Sequence, residues 1–299
     1  MVETVTSERK VLAEGFCLTE APRWRNDRLY FSDIQGHEVH TVDLAGKVET
    51  VASFDGPCSG LGFLPDGDLL VSLMAAAKVV RISGGEVSDH ADVARYADER
   101  INDMIVDPAG RAYVTQLGPP PVAGSDAPRY TRIIIVEPDG RARVGAEGLQ
   151  GPNGIGVSPD GRTLVVSESG GARVSALDIA ADGGLSNLRA FAELPAGQCP
   201  DGLCLDAQGG VWAAVVFAEG PRPLTPGPGF CRYDARGRLT HLIPLEAGRH
   251  AVACTFGGAD RKTLFLCTSG ALAGREARRD RSARIETVAV AGFSGDGLP

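Results

Sequence analysis

Helical periodicity is nearly missing from this chain, and its absence excludes helical bundles and helix-rich solenoids. No apolar run is long enough to span a bilayer. The opening residues Met1-Val2-Glu3-Thr4-Val5-Thr6-Ser7-Glu8 carry acid and no apolar core, so no signal peptide is expected. Positive charge is short as well: 30 Lys and Arg face 38 Asp and Glu, a net charge of −8. That balance argues against nucleic acid or an anionic membrane as partner and fits ordinary solubility. No serine sits in a nucleophile elbow, which argues against a Ser–His–Asp esterase. The 7 cysteines are odd in number and form no CxxC pair. Most lie inside apolar runs such as Leu203-Cys204-Leu205, so they read as reduced, buried small hydrophobes in a cytosolic protein. Cys199 stands apart because it lies near Asp201.

What the chain has in quantity is glycine, 39 residues, and proline, 19, within 299. They punctuate many short apolar runs, the pattern of an all-β fold. The turns Leu64-Pro65-Asp66-Gly67, Asp107-Pro108-Ala109-Gly110, Ser158-Pro159-Asp160-Gly161 and Asp206-Ala207-Gln208-Gly209 share one logic. Pro presets the first angle, Asp bonds its own backbone, and Gly takes the positive φ. An apolar strand precedes each turn and a second follows, as in Thr163-Leu-Val-Val-Ser167 and Gly210-Val-Trp-Ala-Ala214. Flanking copies begin at Ala21 and Val252. The starts near 20, 59, 102, 153, 201 and 251 recur every 40–50 residues or so, the length of a four-stranded propeller blade. The expected architecture is one six-bladed β-propeller domain over 1–299, with residues 1–10 closing the last blade.

Two insertions interrupt the rhythm, Gly118–Pro128 in the third blade and Ala218–Gly229 in the fifth. Both are Pro-rich and follow a second strand, so each is either a stiff wall over a pocket or a plain surface loop. The charged stretch Arg275–Arg281 reads as a solvated loop.

One polar residue recurs at the start of the inner strand: Glu20, Asn102, Asn153 and Asp201 in blades one, three, four and five. Blade two offers Ser59 there, and blade six Ala251 or Val252. Asn-Gly and Asp-Gly are common turn formers, so any one of these residues alone is more often structural. Recurrence at one register in four blades points to a site. Two carboxylates and two amides converging on an axis make an oxygen-rich cradle for a hard divalent cation.

The segments Thr19-Glu20-Ala21-Pro22-Arg23-Trp24, Arg100-Ile101-Asn102-Asp103, Gly151-Pro152-Asn153-Gly154, Pro200-Asp201-Gly202-Leu203-Cys204-Leu205-Asp206 and Cys254-Thr255-Phe256-Gly257-Gly258 run in order through the chain. In these the sequence resembles the SMP-30/gluconolactonase (regucalcin-like) family of six-bladed propellers. The resemblance implies a lactone hydrolase whose divalent ion is held by Glu20, Asn153 and Asp201. It places Asn102 at the metal or its water and Arg100 at a small-molecule substrate. Calcium is the expected ion, with zinc, manganese or magnesium as alternatives. A cation there would polarise the lactone carbonyl and Asp201 would serve as base. Similar propellers act on P–O or P–F bonds, and a calcium-binding propeller without turnover needs the same ligands, so both stand as alternatives.

The sequence departs from the family pattern in two places. Ala21 stands where the first motif usually has Gly, and His250-Ala-Val-Ala-Cys254 is less polar than a sugar-binding wall. The expected substrate is a sugar lactone or a related lactone, with these departures pointing away from a simple aldonolactone. His250 falls either in the pocket or on its rim. His37, His40, His90 and His241 fall on middle or outer strands or turns and carry no assigned role.

Overall fold

The repeated turn sets the spacing of the strands. In the computed structural model, which describes residues 1–119, 127–218, 224–272 and 274–295, Gly67, Gly110, Gly161 and Gly209 all take positive φ, between 69° and 100°. Each donates its N–H to the residue three positions back, at 2.8–2.9 Å. Asp107 and Asp206 cap their own turns: Oδ1 of each accepts two following backbone N–H groups at 2.9 Å. These bonds close the loop locally, so the flanking apolar runs pair as neighbours.

Six antiparallel sheets result, each ordered from the axis outward. Their inner strands are Thr19–Arg25, Cys58–Phe63, Ile101–Val106, Pro152–Val157, Gln198–Leu205 and His250–Gly257. Every inner strand packs against the inner strands of both neighbouring blades, which closes the ring of a six-bladed propeller. The outer strand of blade six is Lys10–Phe16, paired with Ala283–Ala289. From the N-terminal segment expected to close the last blade, Glu3–Thr4 pairs parallel with Leu239–Ile243 on blade five. Among the described residues no helix is long and apolar enough to cross a membrane.

The spaces between blades hold the core. Trp24 of blade one stacks on Phe265 of blade six at 5.1 Å, sealing the junction where the chain's two ends meet. Tyr113 and Trp212 are fully buried in their own clusters. Six cysteines are buried and free, while Cys204 is half-buried with its sulfur 3.7 Å from that of Cys254.

Two segments differ from expectation. Thr225–Tyr233 is a strand, so the later part of the fifth-blade insertion is ladder rather than loop; Thr225 pairs with Phe217 and Gly229 with Val215. Tertiary pairing overrides the Pro and Gly content there. Residues 120–126 and 219–223 of the two insertions lie outside the described residues. The stretch expected as a solvated loop contains the helix Gly274–Asp280, which buries Ala277. A seven-residue helix is too short to show an apolar period.

At the axis the inner strands touch backbone to backbone. A Cβ on Gly154 would stand 2.5 Å from Asp201 O, and one on Gly202 2.3 Å from the Ala253 Cβ. Gly202→Val is therefore expected to cost about 1–3 kcal/mol through overpacking, seen as a lowered denaturation midpoint. An unchanged midpoint would show that the axis can widen.

Candidate functional site

All six inner strands carry a β-bulge at the same height. The register breaks between Glu20 and Arg23, Cys58 and Leu61, Ile101 and Met104, Pro152 and Ile155, Pro200 and Leu203, and Ala251 and Ala253. Bulges re-aim side chains and recur beside active sites. Here they mark the register singled out in the sequence, with Val252 as the blade-six member. Asn102 Nδ2 donates to Asn153 Oδ1 at 2.7 Å, and Asn153 Nδ2 donates to Asp201 Oδ1 at 2.5 Å. Three blades are thus joined through one chain of side chains.

Glu20 completes the group. Its Oε2 accepts the Ala21 N–H at 2.6 Å, and the residue is 5% exposed. Burial raises its proton affinity well above the carboxylate norm, and the charges of Asp201 and Asp103 add to the effect. Asp201 is pushed up to about 7, first by burial and then by Asp103, against the hydrogen bonds from Asn153 and the Gly202 N–H. Asp103 is itself buried, and burial raises it despite Arg23.

Arg23 lies 3.2 Å from Asp103 and also donates to Leu61 O at 3.0 Å and Met104 O at 2.6 Å. Arg23, committed to Asp103 and three carbonyls, offsets the shift of Glu20 only as its smallest cause, and among the described residues no cation is paired with Glu20 or Asp201. Buried carboxylates in that condition fit a cation. Among the described residues no three His, Cys, Asp or Glu side chains stand in metal-ligand geometry. The fitting donor set is two carboxylates with amide oxygen, the hard-oxygen chemistry of calcium or manganese rather than a thiolate zinc site.

A cavity of about 470 Å³ opens over Asn153 and Asp201. Gly118 and Pro119 of the first insertion precede the undescribed stretch, and Pro128 and Leu224 beyond the two stretches line the cavity. At the other end of the inner strands a space of about 40 Å³, beside Arg23, Cys204 and Arg261, is too small for a substrate.

Arg100 does not line this cavity; it is exposed, and its guanidinium lies 3.1 Å from Glu99. Cys199 does line it, but burial and the Asp201 charge push its thiol up to about 12, which makes it inert. His250 is buried, with Nδ1 3.3 Å from Ser269 O and Nε2 without a hydrogen-bond partner.

Two contributors escaped the sequence reading. Asp103 follows Asn102 directly, and the sequence reading gave it no role of its own. Ser169 follows the blade-four second strand; its hydroxyl donates to Pro200 O at 2.7 Å and receives the Asn153 amide at 3.2 Å. Hydroxyls do the same in neighbouring blades: Ser72 donates to Asn102 O at 2.5 Å, and Thr115 Oγ1 lies 3.0 Å from Asn153 O. A Ser or Thr recurring near the end of second strands was the available signal.

The chain is similar to known proteins over most of its length. A regucalcin of Gallus gallus is 25% identical over 276 residues, covering 90% of this chain and 86% of that protein. A pentonolactonase of Haloferax volcanii is 29% identical, covering 85% and 82%. The structure of a gluconolactonase of Xanthomonas campestris superposes with a TM-score of 0.73 at 25% identity, over 95% of this chain and 89% of that one. The model of the SMP-30/Gluconolactonase/LRE-like region matches residues 18–270. With the ring, the bulged inner strands and that match together, the chain belongs to the SMP-30/gluconolactonase/LRE-like family.

Proposed function

We propose that this protein is a divalent-cation-dependent lactonase. The observation that carries the reading is the buried oxygen cluster of Glu20, Asn153 and Asp201 beneath an open cavity, short of positive charge. The pentonolactonase and gluconolactonase among its relatives support the reaction class.

Glu20, Asp201 and the Asn153 amide would hold the ion, calcium by preference. A bound cation would polarise the lactone carbonyl and stabilise charge on its oxygen. Asp201 takes the proton from the attacking water. Asp103, fixed behind it by Arg23 and by the Met104 N–H at 2.7 Å, adds its charge to the burial that raises the proton affinity of Asp201 in the metal-free site. Asn102 holds the Asn153 amide in place and meets the substrate beside it. Arg100 reaches substrate by leaving Glu99, an exposed pair worth about 0–1 kcal/mol, so the exchange costs little.

Chelator-treated protein is expected to lose lactone hydrolysis, and a series of added calcium, manganese, zinc and magnesium should restore it, calcium best. Asp201→Ala should lower the restored rate by about 10²-fold or more. Tight ion binding without turnover on any lactone or aryl ester would leave a binding protein instead. Arg100→Ala is expected to raise KM less than about tenfold with kcat unchanged, and a kcat collapse would give this arginine a direct part in the chemistry.

A pH dependence follows for the metal-free state. Asp201 binds its proton more tightly folded, with a pKa of about 7, than in the unfolded chain, at 3.8. Its contribution is thus fully favourable below about pH 4 and is lost as pH rises through about 7. In chelator, the wild-type thermal midpoint should match that of Asp201→Asn near pH 4 and fall below it by pH 8. Parallel curves would mean that Asp201 is solvated.

A further inference from the structure

We infer that the substrate body is hydrocarbon rather than polyol: a γ- or δ-lactone carrying an alkyl tail of several carbons. The inference rests on the hydrolase reading and narrows it to a substrate class.

The cavity over Asn153 and Asp201 has one oxygen-rich end and an apolar body. Leu117, Cys199, Val216, Ala218, Pro128 and Leu224 line it. Five polar residues line it as well, Arg129, Gln150, Ser169, Asn153 and Asp201, the last two at the oxygen-rich end. Ser169 is used on Pro200 O and Asn153, and Arg129 donates to Pro119 O. Leu117 and Leu224 are 37% and 39% exposed at the cavity, large apolar side chains on its lining.

A polyhydroxylated lactone brings a hydroxyl on nearly every carbon. Against the apolar walls those hydroxyls not reaching Gln150, Arg129 or the oxygen-rich end would surrender water with no partner in exchange, and such mismatches discriminate strongly. An alkyl tail has the opposite balance, because it covers Leu117 and Leu224 while the ester group stays at the oxygen-rich end. The volume of about 470 Å³ accommodates ring and tail together.

The test is kcat/KM, with the activating cation present, for δ-valerolactone, δ-octanolactone and δ-decalactone against glucono-δ-lactone. The rate constant should climb about three- to fourfold per tail methylene, with the sugar lactone at least about tenfold below δ-octanolactone. Leu117→Asn and Leu224→Asn, both at partly exposed positions that pose little risk to folding, should reduce the gain per methylene. A flat series with the sugar lactone preferred would overturn the inference and leave the hydrolase reading intact. Were no lactone turned over, the hydrolase reading would fail on its own, and calorimetry with non-hydrolysable δ-lactams would then decide. Tighter binding of the alkyl lactam than of the polyhydroxylated one would uphold the apolar pocket, whereas equal or absent binding would overturn it.

Discussion

Backbone touching backbone around the axis is the constraint on which the rest of this molecule depends. Gly154 and Gly202 admit the neighbouring strand where any side chain would collide. Inner strands that close cannot all point side chains inward, so each bulges, and the bulges gather the few groups that do project. The same closeness removes water from Glu20, Asp103 and Asp201, which raises their proton affinity and makes a cation a favourable neighbour. Farther out the wedge between blades widens, and Trp24, Phe265, Tyr113 and Trp212 fill it. The candidate site and the core are thus two outcomes of one radial geometry.

Features governed by local chemistry were legible in the sequence. The Pro-Asp-Gly turns formed as their residues dictate, and six inner strands began where the repeat places them. Glu20, Asn102, Asn153 and Asp201 could be singled out because recurrence adds information that no single residue carries. Interactions that cross between blades were not legible. The Arg23–Asp103 pair spans 80 positions, and Ser169 reaches Pro200 on another sheet. Neither partner announces the other along the chain. Thr225–Gly229, the last part of the insertion, looked like loop because its Pro and Gly residues weaken strand propensity, and pairing with the adjacent Val211–Phe217 makes it ladder. Arg100 illustrates the converse: its motif suggested a contact, while its exposed position leaves that contact to a side-chain movement.

The seam between Lys10–Phe16 and Ala283–Ala289 has a consequence for the birth of the molecule. These strands are paired in the finished sheet, yet almost the whole chain separates them. At a synthesis rate of about 5–20 residues per second, the first strand waits on the order of tens of seconds for its partner to leave the ribosome. Throughout that interval an amphipathic edge strand stands unpaired, able to recruit any extended peptide nearby. Early blades can form hairpin by hairpin, but the last junction is a long-range closure with a large loop-entropy cost. The circular design that shields its edges in the mature protein therefore concentrates aggregation risk in the nascent one, at a strand on the rim of the ring, away from the axis.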